Sequence, residues 1–158
     1  MLTVYIDADA CPVKEEVYRV AKRYGLEVIL VANSWMKIPD EPKITLETVG
    51  AAPDAADDWI AEHAEADDIV ITADIPLASR CMKNEVRVIG TSGKLFTARN
   101  IGGILATRDL MTGLRDAGEM TSGPPPITQH DRSRFLQQLD QTVQAIRRKC
   151  RATGPAAL

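Results

Sequence analysis

Residues 2–14 read Leu-Thr-Val-Tyr-Ile-Asp-Ala-Asp-Ala-Cys-Pro-Val-Lys, a short apolar strand pattern that stops at two aspartates and continues as a helix. Residues 68–74 read Asp-Ile-Val-Ile-Thr-Ala-Asp and are also followed by a proline and a helical pattern. In an open parallel sheet, ligands bind beyond the carboxyl ends of the strands. The two strand ends, Asp7 and Asp74, therefore predict where a functional site lies.

Strand and helix patterns alternate over the first half of the chain. A helical repeat of apolar residues ends at Gly25, and the run 27–32 is almost wholly apolar, as is typical of a strand covered on both faces. Further strands are predicted at 44–49, 69–73 and 86–89. This alternation predicts an α/β protein with a mainly parallel sheet of about five strands.

Two helices begin at residues that suit a helix N-terminus. Asp54 offers a side-chain oxygen that can cap the first turn, and Pro76 lacks an N–H that the first turn would leave unpaired. The pattern after residue 90 is helical, first over 101–114 and then, beyond a proline-rich segment at 122–126, in a C-terminal helix. The apolar face of that last helix carries Phe135, Leu139, Val143 and Ile146.

The length and composition fit one soluble domain. A chain of 158 residues can bury a core of its own, and we expect a single domain over 1–150 with a disordered tail at 151–158. No run approaches the ~20 apolar residues of a membrane span, and the N-terminus lacks a signal-peptide pattern. The three cysteines are too few and too far apart for a disulfide framework. We expect a cytoplasmic protein with reduced thiols and no membrane partner.

Charge is distributed unevenly along the chain. The first 78 residues carry 16 acidic and 6 basic side chains, whereas the remainder carries 13 basic, 10 of them arginine, and 6 acidic. Arginine pairs with phosphate through two parallel hydrogen bonds, so a polyanion is one partner that this pattern allows. The other interpretation is that the two halves neutralise each other across the fold.

The aspartates point to a divalent cation. Carboxylates that lie close together raise one another's pKa, and a bound cation removes that conflict. Oxygen ligands without histidine or cysteine suit Mg²⁺ or Mn²⁺, which can polarise a phosphate and activate water. Asp7 and Asp74 are the first predicted ligands and Asp57, one turn into a helix, is the third. Asp9 and Asp54 are predicted either to ligate directly or to hold a metal-bound water.

Each aspartate also has a structural interpretation. Asp9 precedes a helix and can serve as its cap. The acidic residues between 54 and 58 can be ordinary first-turn acids that interact with the helix dipole. Asp7 and Asp74 are harder to explain in this way, because a carboxylate in the crevice gains little structurally and is costly to desolvate. The interpretation favours function at these two positions.

Other motifs carry less chemistry. The segment 90–94, Gly-Thr-Ser-Gly-Lys, is too short for a phosphate-binding loop and is interpreted as a turn. Cys11 is expected to be a small buried thiol, because no histidine lies near it in sequence. Trp35, in a polar loop, either stacks on a nucleic-acid base or covers the core. His63 and His130 are assigned no role.

A set of motifs spread over most of the chain resembles one known family. The motifs are Tyr5-Ile-Asp-Ala-Asp-Ala-Cys-Pro-Val-Lys14, Val31-Ala-Asn33, Asp54-Ala-Ala-Asp57, Ile71-Thr-Ala-Asp-Ile-Pro-Leu-Ala78, Arg108-Asp109, Gly123-Pro-Pro125 and Asp131-Arg132. They are similar to the YaiI/YqxD family of uncharacterised bacterial proteins, from residue 2 to about 145. That family is grouped with the PIN-like fold, a three-layer α/β sandwich whose strand-end acids bind Mg²⁺ or Mn²⁺ for phosphodiester hydrolysis.

The resemblance implies specific roles for residues of this chain. Asp7, Asp57 and Asp74 correspond to the catalytic acidic cluster, with Asp9 and Asp54 nearby. The residues expected to contact a phosphate-bearing substrate are Asn33, Thr72, Lys94, Arg108 and Arg132. The chain departs from the family pattern at His130, where arginine is more frequent, and at Arg99-Asn100, where an acidic residue often precedes the asparagine. No fourth carboxylate is evident after Asp74, so one metal or two both stay open.

Three functional hypotheses follow. The leading one is a divalent-metal-dependent nuclease that acts on RNA. The second is a non-catalytic PIN-like module that binds nucleic acid or protein. The third takes Asp7 and Asp9 as the nucleophile and acid–base pair of a haloacid-dehalogenase-type phosphatase, although Cys11 stands where that motif has threonine or valine.

Overall fold

The structure is a computed structural model that describes residues 2–8, 11–50, 52, 54–97 and 127–153, with only the backbone of 150–153. The strands are β1 (Thr3–Asp7), β2 (Glu27–Ala32), β3 (Ile44–Thr48), β4 (Ile69–Ile71) and β5 (Arg87–Ile89). The helices of the described ranges are α1 (Lys14–Tyr24), α2 (Ala55–His63), α3 (Ile75–Met82) and α4 (Gln129–Thr153). The strands form one sheet in the order β3-β2-β1-β4-β5, and every pairing is parallel. The predicted α/β class is confirmed.

Helices cover both faces of the sheet. Helices α1 and α4 pack on one face, where their apolar residues meet alternate residues of the strands, such as Val4 and Ile6. Helices α2 and α3 pack on the other face, against Tyr5, Val31 and Val70. Because successive side chains of a strand point to opposite faces, both sets are buried and the central strands are apolar throughout. The arrangement is that of a three-layer sandwich.

Most predicted elements are present. Helix α1 ends at Gly25, whose φ of 68° lies in the left-handed region that glycine adopts without strain. Strand β2 has the predicted bounds, and the other later strands differ from prediction by one or two residues. The four apolar residues predicted for the last helix are no more than 1% exposed: Phe135, Leu139, Val143 and Ile146.

Two helix starts differ from prediction. Asp54 occupies the N-cap position of α2, but its side chain makes no capping hydrogen bond. The N-cap position of α1 belongs to Val13.

Helix α4 continues to Thr153, past the boundary predicted at residue 150. The helix predicted at 101–114, the proline-rich segment and residues 154–158 lie outside the described residues.

The topology places a crevice beside β1. The chain leaves β1 for β2 and β3 on one side and then returns to β4 on the other side, so the strand order reverses between β1 and β4. In sheets of this kind the ligand site lies at such a reversal, beyond the carboxyl ends of the strands. None of the helices in the described part of the chain combines the length and apolarity needed to cross a membrane.

Candidate functional site

Asp7 stands at the strand reversal. It is the last residue of β1, the central strand, and it pairs in register with Val31 of β2 on one side. On the other side β1 pairs with β4 up to Ile6 and Ile71, so the chain that follows β4 passes next to Asp7. The predicted proximity of the two strand ends is therefore present in the structure.

A threonine joins the two strand-end aspartates. The Thr72 hydroxyl donates to Asp7 Oδ2 at 3.0 Å, and the same oxygen accepts from the Asp74 backbone N–H at 3.0 Å. Thr72 is 1% exposed. A buried hydroxyl bonded on both sides fixes the separation of the two acidic residues. The Thr72 side chain therefore orients Asp7, and its predicted contact with substrate stays a prediction.

Asp74 has a structural role that the sequence interpretation missed. It is the N-cap of α3, and its Oδ1 accepts from the Leu77 backbone N–H at 2.9 Å. Its position three residues before Leu77, with Pro76 in the first turn, is the signal that would have revealed the cap. The premise that a carboxylate here gains little structurally is wrong for Asp74. The cap leaves its second oxygen, Oδ2, for other contacts.

Asp57 is electrostatically coupled to both strand ends. Its pKa is raised to about 6, first by burial and then by the negative charges of Asp74, Asp7 and Asp54. Arg80 opposes this shift only weakly, because its guanidinium is paired with Asp58 at 2.8 Å. Helix α2 therefore brings the third predicted carboxylate to the same edge of the sheet. Repulsion among these side chains is the condition that a cation relieves.

The donor chemistry suits a hard divalent cation, since the converging groups are carboxylates. Across the described residues, however, no three histidine, cysteine, aspartate or glutamate side chains are arranged to hold a metal ion. Asp9, another predicted ligand, lies outside these residues. The aspartates thus share one electrostatic environment without forming a preassembled set of ligands.

Asn33 connects two chain segments at the aspartate edge through its side-chain amide. Its side-chain Nδ2 donates to the Gly50 carbonyl at 2.9 Å and to the Ala52 carbonyl at 3.4 Å. These bonds tie the loop after β2 to the segment that leads into α2. Asn33 therefore helps to place the helix that carries Asp57, in addition to any contact with substrate.

Lys94 and Arg132, two of the basic residues predicted to contact substrate, lie at different places in the fold. Lys94 is exposed at the end of a turn in which the Gly90 N–H donates to the Lys94 carbonyl at 2.8 Å, which confirms the predicted turn. Arg132 Nη1 donates to the Pro12 carbonyl at 2.9 Å and to Glu16 Oε1 at 2.8 Å. Arg132 therefore ties α4 to the start of α1. Arg108 lies outside the described residues.

The structure also shows the surroundings of one tryptophan, two cysteines and one histidine. Trp35 is 77% exposed, so it does not cover the core. Cys11 is buried, and burial raises the pKa of its thiol to about 11, which excludes a reactive thiolate at neutral pH. The Cys81 thiol is also buried and free. His63 stacks on Trp59 with ring centroids 3.8 Å apart, far from a catalytic arrangement with the aspartates.

Comparison with known proteins places the chain in a family. The family model described as "Uncharacterized BCR, YaiI/YqxD family" matches residues 5–145. A UPF0178 protein of Bradyrhizobium sp. (strain ORS 278) is 57% identical over 148 residues, which cover 94% of this chain and 90% of the relative. A UPF0178 protein of Nitrobacter winogradskyi is 56% identical over 151 residues, covering 96% of each chain.

A third relative, the UPF0178 protein of Caulobacter sp. (strain K31), is 54% identical over 151 residues that cover 96% of this chain and all of the relative. No solved structure matches the chain. The matched range includes Asp7, Asp57 and Asp74, so the aspartate edge belongs to the part of the chain that the family shares. The chain is a member of the YaiI/YqxD family.

Proposed function

We propose that this protein is a divalent-metal-dependent phosphodiesterase of PIN-like fold that cleaves RNA at the aspartate edge. The observation that carries the proposal is the convergence of Asp57 with Asp7 and Asp74 at the strand reversal, where burial first and then the charges of Asp74, Asp7 and Asp54 raise the pKa of Asp57 to about 6. A carboxylate that is perturbed in this way in a crevice is a candidate for a functional site. The runner-up is a PIN-like module that binds without cutting.

Asp7, Asp57 and Asp74 would hold Mg²⁺ or Mn²⁺, and Asp54 and Asp9 would either ligate it directly or hold water bound to it. Binding requires the carboxylates to rotate toward a common ion, since the described side chains are not arranged as ligands. When bound, the ion polarises a phosphate and lowers the pKa of its water. Burial and the repulsion from neighbouring carboxylates both raise the pKa of Asp57, and a cation would remove the repulsive part, which favours binding.

The side chains of the edge divide the remaining work. Thr72 holds Asp7 through its hydroxyl, which fixes one carboxylate oxygen of Asp7. Asp57, on α2, brings a third carboxylate and its negative charge to the same edge. The cap on α3 fixes Asp74 in the same way that Thr72 fixes Asp7. These side chains supply orientation and the negative charge that would hold the cation.

The test is cleavage of single-stranded RNA by the purified full chain with Mn²⁺. We expect Mn²⁺-dependent cleavage that falls at least about 100-fold in Asp7→Asn or Asp74→Asn, as loss of a charged catalytic group predicts. Asp58→Asn is the matched control, because Asp58 is an exposed neighbour of Asp57 on α2 that pairs with Arg80. Wild-type protein that neither binds divalent metal nor cuts any nucleic acid in a broad panel contradicts the proposal.

The non-catalytic alternative is favoured by one observation, the lack of a preassembled ligand set among the described residues. It predicts RNA binding without turnover by the wild type. It also predicts undiminished RNA affinity in the triple variant Asp7→Ala, Asp57→Ala, Asp74→Ala. Loss of cleavage in that variant, from an active wild type, rejects this alternative.

A further inference from the structure

A groove separate from the aspartate edge lies on the α1 face of the molecule. It has a volume of about 900 Å³ and runs between α1 and the segment 37–44 that leads into β3. Its apolar lining includes Tyr18, Ala21, Leu26, Ile38, Pro39 and Ile44. The volume is within the range of ~300–1,000 Å³ that is usual for ligand sites.

The groove collects positive charge in the acidic half of the chain. Its basic lining consists of Lys14, Arg19, Lys22, Lys37 and Lys43. These are five of the six basic residues found among the first 78. Two acidic residues, Glu15 and Glu41, also line it. The groove is therefore locally cationic, although the half of the chain that builds it is strongly acidic, and it attracts an anionic ligand.

Two of the lysines are held in place. Lys14 Nζ donates to the Cys11 carbonyl at 2.9 Å, and Lys43 Nζ donates to the Gly25 carbonyl at 2.9 Å. An ammonium group has three donors, so each lysine keeps two for a ligand. The side chains of Lys22 and Lys37 are exposed on opposite walls of the groove. The cations therefore face a shared space.

Two chain segments connect the aspartate edge to the groove. One wall, α1, begins soon after Asp7 at Lys14. The other wall follows from Asn33, which is tied to the segment entering α2, and reaches the groove at Lys37. Trp35, which is 77% exposed, lies in the sequence between Asn33 and Lys37. The segment that joins the edge to the groove therefore carries an exposed aromatic ring.

We propose that single-stranded RNA leaves the aspartate edge over Trp35 and lies in this groove. The indole stacks on a base, the cations neutralise phosphates and the apolar lining receives bases, a combination that single-strand binding sites use. Helix α1 has 11 residues and spans about 16 Å, which is long enough for a short single-stranded segment of a few nucleotides. The inference rests on the proposed function for the choice of RNA as ligand.

The test is the fluorescence anisotropy of a labelled oligouridylate of about ten nucleotides, titrated with the full chain. We expect Lys22→Glu/Lys37→Glu to weaken binding at least about tenfold and to reduce the salt slope by about two. The matched control is Lys83→Glu/Arg148→Glu, which changes net charge equally at exposed positions outside the groove. Trp35→Ala should weaken binding roughly 5- to 150-fold, and Trp35→Phe should restore most of it.

Binding that weakens equally in the groove and control variants, or not at all, overturns the inference. Wild-type protein without affinity for the oligouridylate overturns it too. Asp7→Asn separates this result from the proposed function, because it should lose cleavage and keep affinity. Groove-dependent binding by a wild type that never cleaves supports the groove while rejecting catalysis. Cleavage that is indifferent to the groove variants supports catalysis while rejecting the groove.

Discussion

At the scale of single residues, Thr72 determines how the two strand-end aspartates are arranged. Its hydroxyl donates to Asp7 Oδ2 and accepts from the Asp74 backbone N–H. A hydroxyl in this position serves as a bridge, and its loss affects two partners at once. The edge therefore depends on a buried neutral residue as well as on its carboxylates.

Replacement of Thr72 by valine keeps the shape and removes the bridge. We expect the free energy of unfolding to fall by about 1–3 kcal/mol, because two buried groups lose their partner. Cleavage should fall as well, since Asp7 is no longer oriented. Urea unfolding and the RNA cleavage rate are the measurements.

The control for this substitution is Thr142→Val. Thr142 is also buried, but its hydroxyl donates within α4 to the Gln138 carbonyl at 2.8 Å. This variant should lose stability and retain activity per folded molecule. Cleavage by Thr72→Val at the wild-type rate shows that Thr72 does not position Asp7.

Asp57 predicts a dependence of stability on pH. Its pKa is about 6 in the folded state and 3.8 as the reference value, so the folded state binds the extra proton between these values. Stability should therefore fall as pH rises from about 4 to 6 and stay low above that. After allowance for solvent screening, Asp57→Asn should be about 1 kcal/mol more stable than wild type at pH 8.

The measurement is urea unfolding of both proteins at pH 4 and pH 8. The advantage of Asp57→Asn should be largely absent at pH 4, where the wild-type carboxyl is protonated in the folded state and about half protonated in the unfolded state. Saturating Mn²⁺ should reduce or reverse it at pH 8, because a cation stabilises the carboxylate. An equal difference at both pH values rules out titration of Asp57 as its cause.

Some of these residues were predictable from the sequence and others were not. The convergence of Asp7, Asp57 and Asp74 at one edge was predictable, because carboxylates at strand ends and in a first helical turn follow simple patterns. The role of Thr72 was not, because its partner Asp7 lies 65 positions away and a lone hydroxyl has no pattern. Arg132 shares this difficulty, since its ion pair with Glu16 spans 116 positions.

At the scale of elements, the turn after β5 and helix α4 make an unusually close contact. Gly93 has a φ of +91°, and a Cβ placed there would lie 2.7 Å from Phe135 N and 2.8 Å from Arg134 C. Both are backbone atoms of a helix whose apolar face is buried. Only glycine fits this position without displacing α4.

Gly93→Ala should therefore lower the free energy of unfolding by at least about 2 kcal/mol, through left-handed strain and overpacking together. Gly50→Ala is the matched control, because nothing lies within 4 Å of a Cβ built there. The control should change stability by no more than about 0.5 kcal/mol. Equal urea midpoints for the two variants would show that the contact with α4 is loose.

Arg132 forms an ion pair that joins α4 to α1, whereas the sequence predicts that it contacts substrate. Replacing the arginine distinguishes the structural role from the substrate contact. The Glu16 side chain is only 11% exposed, so Arg132→Met leaves a nearly buried charge without its partner. We expect a loss of about 1–2 kcal/mol in urea unfolding. A further Glu16→Gln change should recover much of it.

RNA affinity of the folded Arg132→Met protein should stay near that of the wild type. Unchanged stability with a large loss of affinity would instead support the substrate contact expected from the sequence. The two readouts therefore separate the roles.

Elements were predictable where local pattern and packing agree. Strand β2 is apolar throughout and buried between two layers, and α1 has both an apolar stripe and a terminal glycine, so both were located closely. Helix caps were less predictable, since Asp54 and Asp74 are both acids at a helix start and only Asp74 makes the bond. Backbone geometry before the helix makes that difference, and sequence does not specify it.

At the scale of the whole molecule, the uneven charge has an explanation within the fold. Ion pairs such as Arg132–Glu16, Arg80–Asp58 and Lys149–Asp67 join the basic half to the acidic half. Neutralisation between the halves, one of the two interpretations of the charge pattern, is therefore observed. The proposal of a polyanion partner instead rests on the lysines and the arginine that line the groove beside α1. These residues belong to the acidic half of the chain, so the net charge of each half does not reveal them.

The overall architecture followed from the alternation of strands and helices, because parallel strands need helical crossovers and these cover both faces. The position of the crevice depended on strand order, which local patterns do not specify. The edge of the sheet that carries the site was predictable without the strand order, because ligands bind beyond the carboxyl ends of parallel strands.

The measurement that tests the central claim most directly is the anomalous difference map of a crystal soaked in MnCl₂. We expect a manganese peak at the end of β1, within about 2.0–2.3 Å of carboxylate oxygens from Asp7, Asp57 and Asp74. The peak should vanish in Asp7→Asn crystals and persist in Asp58→Asn crystals. A map with no peak at this edge, or with manganese bound elsewhere, contradicts the claim.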